Sequence, residues 1–225
     1  TKEFGKTIIK NNHYLQNWST SRYCFGLYNG DFVVGVATYG SPVGRLASKS
    51  ISPLLENSNI LELKRLWVSD AEGANIESYF LGRTFKLIRK LDHQIKVLVT
   101  YADPSQSHVG TIYQATNWIY QGTEMRHGES CMYKINGKLL HSRTTFSKFG
   151  TNKVEELKKI DPELEVVYLP KKHRYIYILC GKRERKKIIN SLKYPPLSYP
   201  KQRDFEKRLV NVSSIKVNKK ADEFF

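Results

Sequence analysis

The chain has 225 residues, enough to bury a hydrophobic core as one large domain or as a domain with an appendage. Hydrophobic residues make up 40% of it, and with 14 Tyr and 10 Phe this composition excludes a disordered chain. No apolar run approaches the length of a membrane span and no charged-then-apolar leader opens the sequence, so we expect no membrane partner. The three cysteines are scattered without a CxxC pair, which indicates neither a disulfide framework nor a zinc site and favours a reducing cytoplasm.

The net charge is +16, and it is unevenly distributed. Residues 168–225 hold 16 Lys and Arg against 5 Asp and Glu, a net of +11. Such a charge suits a polyanionic partner, because phosphate contacts steer association. We therefore expect nucleic acid as the partner, and the alternative is a soluble basic surface without one.

Two hairpins are predicted from Asn-Gly pairs. The runs RYCFGLY and FVVGVATYG flank residues 29–30, and SCMYKI and KLLHSRTTF flank residues 136–137. Gly35, inside the second strand, predicts a bulge or a close backbone approach. Residues 1–20 indicate an irregular or helical lead-in, and residues 40–59 a long loop of the kind that is often functional.

The segment 60–68 predicts a strand with alternating faces. On that pattern Arg65 shares a face with Leu61, Leu63 and Trp67, and so is a charge among apolar neighbours. One interpretation is an arginine that reaches an edge or pairs with a core carboxylate. The other is an arginine directed into a cleft, where it holds a phosphate or a carboxylate.

An amphipathic helix is predicted next, because apolar residues recur at helical spacing from Leu81 to Leu91. We expect it to begin near Ser78–Gly82. A helix N-terminus offers free backbone N–H groups, which can bind a phosphate or a carboxylate.

The run IKVLVTY predicts a central strand, parallel to its neighbour, and Asp103 follows it. Asp103 has two interpretations: a cap of the following turn, or a carboxylate at the C-terminal end of a central strand, where open α/β sheets place their chemistry. The run VGTIYQATNWIYQG then predicts a helix that stops at Gly122. Most helical tyrosines such as Tyr113 simply pack, and His108 in the capping turn is likewise more often structural. The histidines lack metal-ligand spacing, so we expect no metal.

The rest of the chain predicts a short helix in TNKVEELKKI, strands in LEVVYL and HRYIYILC, and a basic helix that stops at Pro195. We expect one domain over residues 1–194. Residues 195–225 are expected to form a basic C-terminal tail, extended or partly ordered.

This order of elements resembles the GNAT acyltransferases, in which N-terminal strands, a central strand, a pyrophosphate-binding loop, a helix, a second strand and a tyrosine-bearing helix follow one another. The resemblance implies an α/β (α+β) fold: a mixed central sheet flanked by helices, with a basic C-terminal extension. The glycine-rich loop is reduced here to SYFLGR. The donor-binding residues that the resemblance implies are Ser78, Tyr79, Leu81, Gly82 and Arg83.

More narrowly, LKRLWV, SYFLGR, TYADPSQSHVGTIYQATNW, KKHRYIY and the final YPK resemble the phage Mom proteins, over roughly residues 20–201. This resemblance implies an enzyme that adds a carbamoylmethyl group to the exocyclic amine of adenine in double-stranded phage DNA. It thereby implies protection against restriction, in the cytoplasm of the infected bacterial host. The family's catalytic candidates match Arg65, Asp103 and Tyr113, and His108 lies in the same block.

An alkylated product on an acyltransferase fold is explained if the donor is an activated glycine, either glycyl-tRNA or a coenzyme A thioester. In this hypothesis Asp103 takes a proton from the attacking amine and Tyr113 donates one to the leaving group. Arg65 holds a phosphate or the developing oxyanion. The adenine has to leave the duplex stack.

The side chains expected to contact DNA are three aromatics for stacking and three cations for phosphates: Tyr39, Trp67, Trp118, Lys171, Lys172 and Arg174. Two functions from other classes stay open. One is a nucleic-acid-binding module without catalysis, and the other is a conventional CoA-dependent N-acetyltransferase.

Overall fold

The computed structural model describes residues 1–106, 108–123 and 130–201. Within them, the strands are β1 (Tyr23–Asn29), β2 (Phe32–Gly40), β3 (Ile60–Val68), β4 (Val97–Ala102), β5 (Ile119–Tyr120), β6 (Ser130–Ile135), β7 (Lys138–His141), β8 (Glu165–Leu169) and β9 (His173–Ile178). The α-helices are α1 (Lys2–Asn12), α2 (Ile76–Leu91), α3 (Thr111–Ala115), α4 (Ser142–Phe149), α5 (Val154–Ile160) and α6 (Lys182–Asn190). No helix in the described part of the chain is both long and apolar enough to cross a bilayer.

A mixed sheet of 6 strands forms the centre, in the order β1-β2-β3-β4-β9-β5. Neighbouring strands are antiparallel except β3 and β4, which are parallel, as predicted for the run IKVLVTY. A smaller sheet of 3 strands, in the order β7-β6-β8, is formed by the part of the chain that lies between β5 and β9 in the sequence. The smaller sheet has its own hydrophobic cluster, in which Tyr133 and Ile135 pack with Leu157 of α5.

Two hydrophobic clusters cover the two faces of the larger sheet. On one face α2 contributes Leu81 and Phe85, which pack against Leu61 of β3. On the other, Ile51 of the long loop and Ile188 of α6 pack against the sheet. Full burial of one such side chain contributes about 1.5–3 kcal/mol, so these layers hold the sheet in place. The mixed α/β class, with a central sheet flanked by helices on both faces, is confirmed.

Both Asn-Gly hairpins are confirmed. Asn136 and Gly137 have φ of 48° and 73°, the left-handed values that a two-residue turn of this kind requires. Gly35 lies at an irregularity of the β1–β2 pairing, where Leu27 pairs with it and the next residue of β1 pairs with Val33. A Cβ on Gly35 would lie 3.2 Å from that of Leu27, so both the bulge and the close approach occur.

One helix prediction is wrong, and another is confirmed with an earlier start. The helix over VGTIYQATNWIYQG ends at Ala115, because Asn117 adopts a left-handed φ of 60° and the chain then enters β5. Ile119 pairs with Ile176 of β9, so sheet pairing outweighs the helical spacing of the sequence. Helix α2 begins at Ile76 rather than near Ser78–Gly82.

Residues 195–201 pack on the edge of the larger sheet. The Leu197 N–H donates to the Tyr120 carbonyl over 2.9 Å, and the Tyr199 hydroxyl donates to the Trp118 carbonyl over 2.7 Å. The boundary at residue 194 stays a prediction, and the tail predicted beyond residue 201 lies outside the described residues.

Gly110 and Gly82 make a matched test of this fold. Gly110 has a φ of +84°, and a Cβ there would lie 2.5 Å from the Tyr175 ring. We expect Gly110→Ala to lower the free energy of unfolding by about 2–4 kcal/mol. Gly82 lies inside α2, and a Cβ there would have no atom of another element within 4 Å, so Gly82→Ala should raise stability by about 0.5–1 kcal/mol. Urea unfolding of both variants measures these changes, and equal effects would contradict the assigned backbone.

Candidate active site

The site begins where β3 and β4 separate. Their parallel pairing covers only Ile60–Glu62 opposite Val97–Val99. Beyond it β3 stays paired with β2 as far as Val68, and β4 stays paired with β9 as far as Ala102. The two strands are thus held apart from outside, and a gap opens in the middle of the sheet.

A β-bulge in β3 directs Arg65 toward this gap. Thr38 of β2 pairs with Arg65 and the next residue pairs with Leu63, so Lys64 is the extra residue. A bulge reverses the alternation of the residues that follow it. Leu66, not Arg65, therefore continues the apolar face of Leu61 and Leu63 and packs on the α2 cluster. The prediction that Arg65 shares the face of Leu61 and Leu63 is wrong for this reason.

Two cavities meet at the gap. The first, of about 530 Å³, lies on the side of α2 and α3, and Glu77 and Tyr113 are part of its lining. The second, of about 330 Å³, lies on the side of the long loop and the smaller sheet, and Val43 and Arg143 are part of its lining. The residues that line both are Tyr14, Leu63, Lys64, Arg65, Tyr101 and Asp103.

Arg65 is held in place by backbone and side-chain acceptors. Its Nε donates to the Asn17 carbonyl over 3.2 Å, one terminal nitrogen donates to the Asn17 side-chain oxygen, and the other donates to the Lys64 carbonyl over 2.6 Å. Burial lowers the pKa of Arg65 from its ordinary value, which still leaves it a cation at neutral pH. The cleft-directed interpretation of Arg65 agrees with this position.

Asp103 is both a cap and a member of the cavity wall. One carboxylate oxygen accepts from the Ser105 N–H and hydroxyl over 3.1 and 2.7 Å, and the other lies 2.5 Å from the Lys172 ammonium. Burial raises the pKa of Asp103, but Lys172 and Ser105 together outweigh it, and the net pKa is lowered. The carboxylate is therefore ionised at neutral pH.

Tyr113 is kept protonated by its surroundings. Its ring packs 5.4 Å from Trp118 and 5.4 Å from Tyr175, and its hydroxyl interacts with Thr100. Burial raises the pKa of Tyr113, partly offset by the Thr100 hydroxyl. Tyr113 can thus donate a proton or a hydrogen bond in the first cavity.

His13 and Tyr14 were missed by sequence reasoning. The His13 ring stacks on Tyr14 at 4.4 Å, and the exposed His108 ring lies 5.7 Å from Tyr14. Burial, with the charges of Arg65 and His108 acting in the same direction, lowers the pKa of His13 to about 4. His13 is consequently a neutral acceptor, and its Nδ1 accepts from the Leu15 N–H over 3.1 Å. An aromatic His-Tyr pair directly after a helix was the available signal.

The predicted donor-binding segment is placed in α2 instead of in a loop. Ser78, Tyr79, Leu81, Gly82 and Arg83 line neither cavity. Leu81 is fully buried in the core, so its assignment to donor contact is wrong.

The start of α2 fits a pyrophosphate poorly. Its first turn carries Glu77, and Asp70 and Glu77 both line the first cavity, where their charges oppose an anion at the helix N-terminus.

Three of the six residues assigned to DNA are buried. Tyr39 and Trp118 are fully enclosed, and the Tyr39 hydroxyl bonds to Thr84 over 2.6 Å. Arg174 is 1% exposed; its guanidinium donates to Ser50 and stacks on Tyr194. These three assignments are wrong, because the side chains belong to the core.

The other three assigned residues reach the surface. Trp67 lines the first cavity, Lys172 lines the second, and Lys171 is exposed beside it. Their contact with DNA stays a prediction. Among residues 1–106, 108–123 and 130–201, no three His, Cys, Asp or Glu side chains are grouped to hold a metal ion.

Solved structures of acetyltransferases and a related enzyme are similar to this chain in outline. An N-acetyltransferase from Staphylococcus aureus Mu50 is 17% identical, with a TM-score of 0.39 over 70% of this chain and 67% of its own. A Bacillus subtilis acetyltransferase in complex with CoA is 11% identical, with a TM-score of 0.38 over 70% of this chain and 76% of its own. A GNAT-like decarboxylase in complex with isobutyryl-CoA is 15% identical, with a TM-score of 0.38 over 71% and 79%.

The amino-acid sequence shows to which protein family the chain belongs. A model of the Mom protein family matches residues 1–201, and the chain belongs to this family. The methylcarbamoylase mom of Escherichia phage Mu is 29% identical over 199 residues, which span 88% of this chain and 80% of that protein.

The Lys172–Asp103 ion pair predicts a pKa change. In Lys172→Met the carboxylate loses its cation while burial remains, so the pKa of Asp103 should rise. A lowered pKa stabilises the fold above the pKa of the unfolded chain, and this contribution is lost as the pH falls through the folded value. Lys172→Met should therefore have a lower free energy of unfolding at neutral pH, and this free energy should fall less as the pH is lowered.

Carbon-13 NMR titration of the aspartate carboxyls measures the pKa change. Lys171→Met, which removes the same charge one residue away, is the control. An unchanged Asp103 pKa in Lys172→Met would contradict the ion pair.

Proposed function

We propose that this chain modifies adenine in phage DNA, transferring an activated glycyl group to the exocyclic amine and giving the carbamoylmethyl derivative. The observation that carries the proposal is that Arg65, Asp103 and Tyr113 line one cavity at the gap between β3 and β4. Membership of the Mom family and a relative called a methylcarbamoylase support a DNA-modifying enzyme. The net charge of +16 suits a DNA substrate. The modified adenine would protect phage DNA from restriction in the cytoplasm of the infected host.

The reaction balances in two stages. First, the adenine amine attacks the glycyl carbonyl, the amine loses a proton, and the carrier leaves with one. Second, the free amino group of the new glycyl amide attacks the ring carbon that bears the amide nitrogen, closing a five-membered ring. The bond from that carbon to the original nitrogen then breaks, and the proton lost by the glycine nitrogen passes to the original nitrogen. The glycine nitrogen is now attached to the purine, and the original exocyclic nitrogen has become the carboxamide.

Each side chain has a role that its environment supports. Asp103 is ionised, so it can draw the proton from the amine as that nitrogen becomes positively charged during attack. Tyr113 keeps its proton and can supply it to the leaving group. Arg65 is a fixed cation that can stabilise the oxyanion formed at the glycyl carbonyl. His108, exposed at the cavity rim, is the fourth candidate.

The carrier of the glycyl group is a coenzyme A thioester or glycyl-tRNA. Asp70 and Glu77 beside the start of α2 oppose a pyrophosphate there. No relative reported above supports a tRNA partner, so the carrier has to be identified by experiment. Two other functions compete with this proposal: DNA binding without catalysis, and acetyl transfer to a protein or a small molecule.

Labelled glycine tests the reaction. Cells that express the chain are grown with [¹⁵N]glycine, and DNA nucleosides are analysed by mass spectrometry. We expect a carbamoylmethyl deoxyadenosine that carries one ¹⁵N more than the unmodified deoxyadenosine of the same DNA, whose ring nitrogen N7 also derives from glycine. This extra ¹⁵N should remain after acid hydrolysis of the carboxamide, because the glycine nitrogen is bonded to the purine. Loss of the label on hydrolysis would contradict the rearrangement. Unmodified adenine, with DNA binding intact, would favour the binding module, and acetylated peptide would favour an acetyltransferase.

Two isosteric variants test the assigned roles. Asp103→Asn and Tyr113→Phe each remove one proton-transfer group while keeping its size, and each should lower the modification rate by about 10²–10⁴-fold. DNA affinity, measured by fluorescence anisotropy, should change little.

The matched controls are Asp31→Asn and Tyr28→Phe in the exposed β1–β2 hairpin, because neither residue is part of the lining of the two cavities. They should modify DNA at the rate of the unaltered protein. Full activity of Asp103→Asn would refute its role as proton acceptor.

A further inference from the structure

The two cavities differ in charge outside the wall they share. The lining that belongs to the first alone includes Asp70 and Glu77 and contains no Lys or Arg. The lining that belongs to the second alone includes Arg143 and Lys172 against the single carboxylate Glu62. A phosphodiester is therefore repelled by the first cavity and attracted by the second.

The second cavity also offers apolar walls for a base. Leu15 follows α1, Val43 lies in the long loop, Leu169 is the last residue of β8, and Pro170 follows it. Most of the remaining lining is polar or charged, so these apolar side chains would contact the faces of a base while the polar groups contact its edges. The volume of about 330 Å³ is in the range of small-ligand pockets.

The cations come from the smaller sheet and its connections. Arg143 lies in the first turn of α4, where its N–H donates to the His141 Nδ1 over 3.2 Å and its side chain is exposed. Lys172 lies in the link between β8 and β9, with its ammonium on Asp103. The inserted sheet thus brings positive charge to one mouth of the gap.

We propose that the second cavity is the acceptor pocket: an adenine extruded from DNA enters it, and Arg143 and Lys172 hold the flanking phosphates. This proposal rests on the function proposed above, and it assigns the DNA and the glycyl donor to opposite sides of the gap between β3 and β4. The glycyl group then occupies the first cavity, beside Tyr113, while the phosphates of its carrier stay outside that cavity, away from Asp70 and Glu77. The adenine amine meets the glycyl carbonyl at the shared wall, between Arg65 and Asp103.

The same arrangement links DNA binding to the state of Asp103. A phosphate that takes Lys172 removes the cation that lowers the pKa of Asp103. The carboxylate becomes a stronger base once the acceptor strand is present.

Two variants of α4, each lacking one positive charge, test the phosphate contact. Arg143→Gln and Lys148→Gln each remove one positive charge from the same helix, and only Arg143 lines the cavity. The probe is a labelled single-stranded nonanucleotide of mixed sequence, which needs no base extrusion, measured by anisotropy at several salt concentrations.

We expect Arg143→Gln to bind about tenfold more weakly, with a salt slope smaller by about 0.7, and Lys148→Gln to change affinity less than about twofold. Equal losses in the two variants would overturn the assignment of Arg143.

Filling each cavity tests which side the base enters. Val43→Trp narrows the second cavity, while Leu46→Trp adds the same ring to the same exposed loop outside both cavities. Thr111→Trp narrows the first cavity from the exposed start of α3. The probe is a duplex with 2-aminopurine in place of one adenine, whose fluorescence rises when that base leaves the stack.

We expect the fluorescence rise to be lost in Val43→Trp and kept in Leu46→Trp and Thr111→Trp. Loss in Thr111→Trp alone would place the acceptor in the first cavity and overturn the proposal, as would an unchanged signal in Val43→Trp. The readout needs no donor, so it is independent of whether glycine is the transferred group.

Discussion

The separation of β3 from β4 is the constraint on which the site depends. Two parallel strands that pair along their whole length leave no room between them, and here the pairing stops after three residues on each strand, Ile60–Glu62 and Val97–Val99. Each strand stays paired with its outer neighbour beyond that point, so the gap does not require flexible loops. Arg65 in β3 and Asp103 at the end of β4 therefore lie on opposite sides of the gap, each held by a rigid element. The bulge at Lys64 sets the direction of the Arg65 side chain.

Electrostatics then assigns different protonation states to neighbouring groups. His13 is neutral because it is buried near Arg65, Tyr113 keeps its proton because it is buried among aromatic rings, and Asp103 is charged because Lys172 and Ser105 stabilise its anion. A proton acceptor and a proton donor thus coexist within one cavity at neutral pH. Their pKa values are moved apart by burial, by hydrogen bonds and by one ion pair.

Much of the fold followed from local patterns in the sequence. Asn-Gly pairs located both hairpins, and the apolar run before Asp103 located the central parallel strand. The errors arose where distant residues decide. Pairing with β9 converted the end of a helical pattern into β5, and a bulge reversed the face of Arg65. Burial removed Tyr39, Trp118 and Arg174 from the surface, because composition cannot tell a core aromatic or a core arginine from an exposed one. The second cavity was not foreseen, since it joins the long loop to a sheet distant in sequence.

The contacts of residues 195–201 bear on how the sheet ends. Strand β5 has only two residues and forms the outer edge beyond β9, and an uncovered edge of a sheet can pair with another chain. Leu197 covers that edge with a backbone bond to Tyr120, and the Gln114 side-chain amide donates to the Pro200 carbonyl over 3.2 Å. Residues 195–201 therefore cover an edge that could otherwise pair with another chain, and they also form a hydrogen bond with the short helix that carries Tyr113. A chain that stops before residue 195 would lose both the cover of this edge and the hydrogen bond that supports α3.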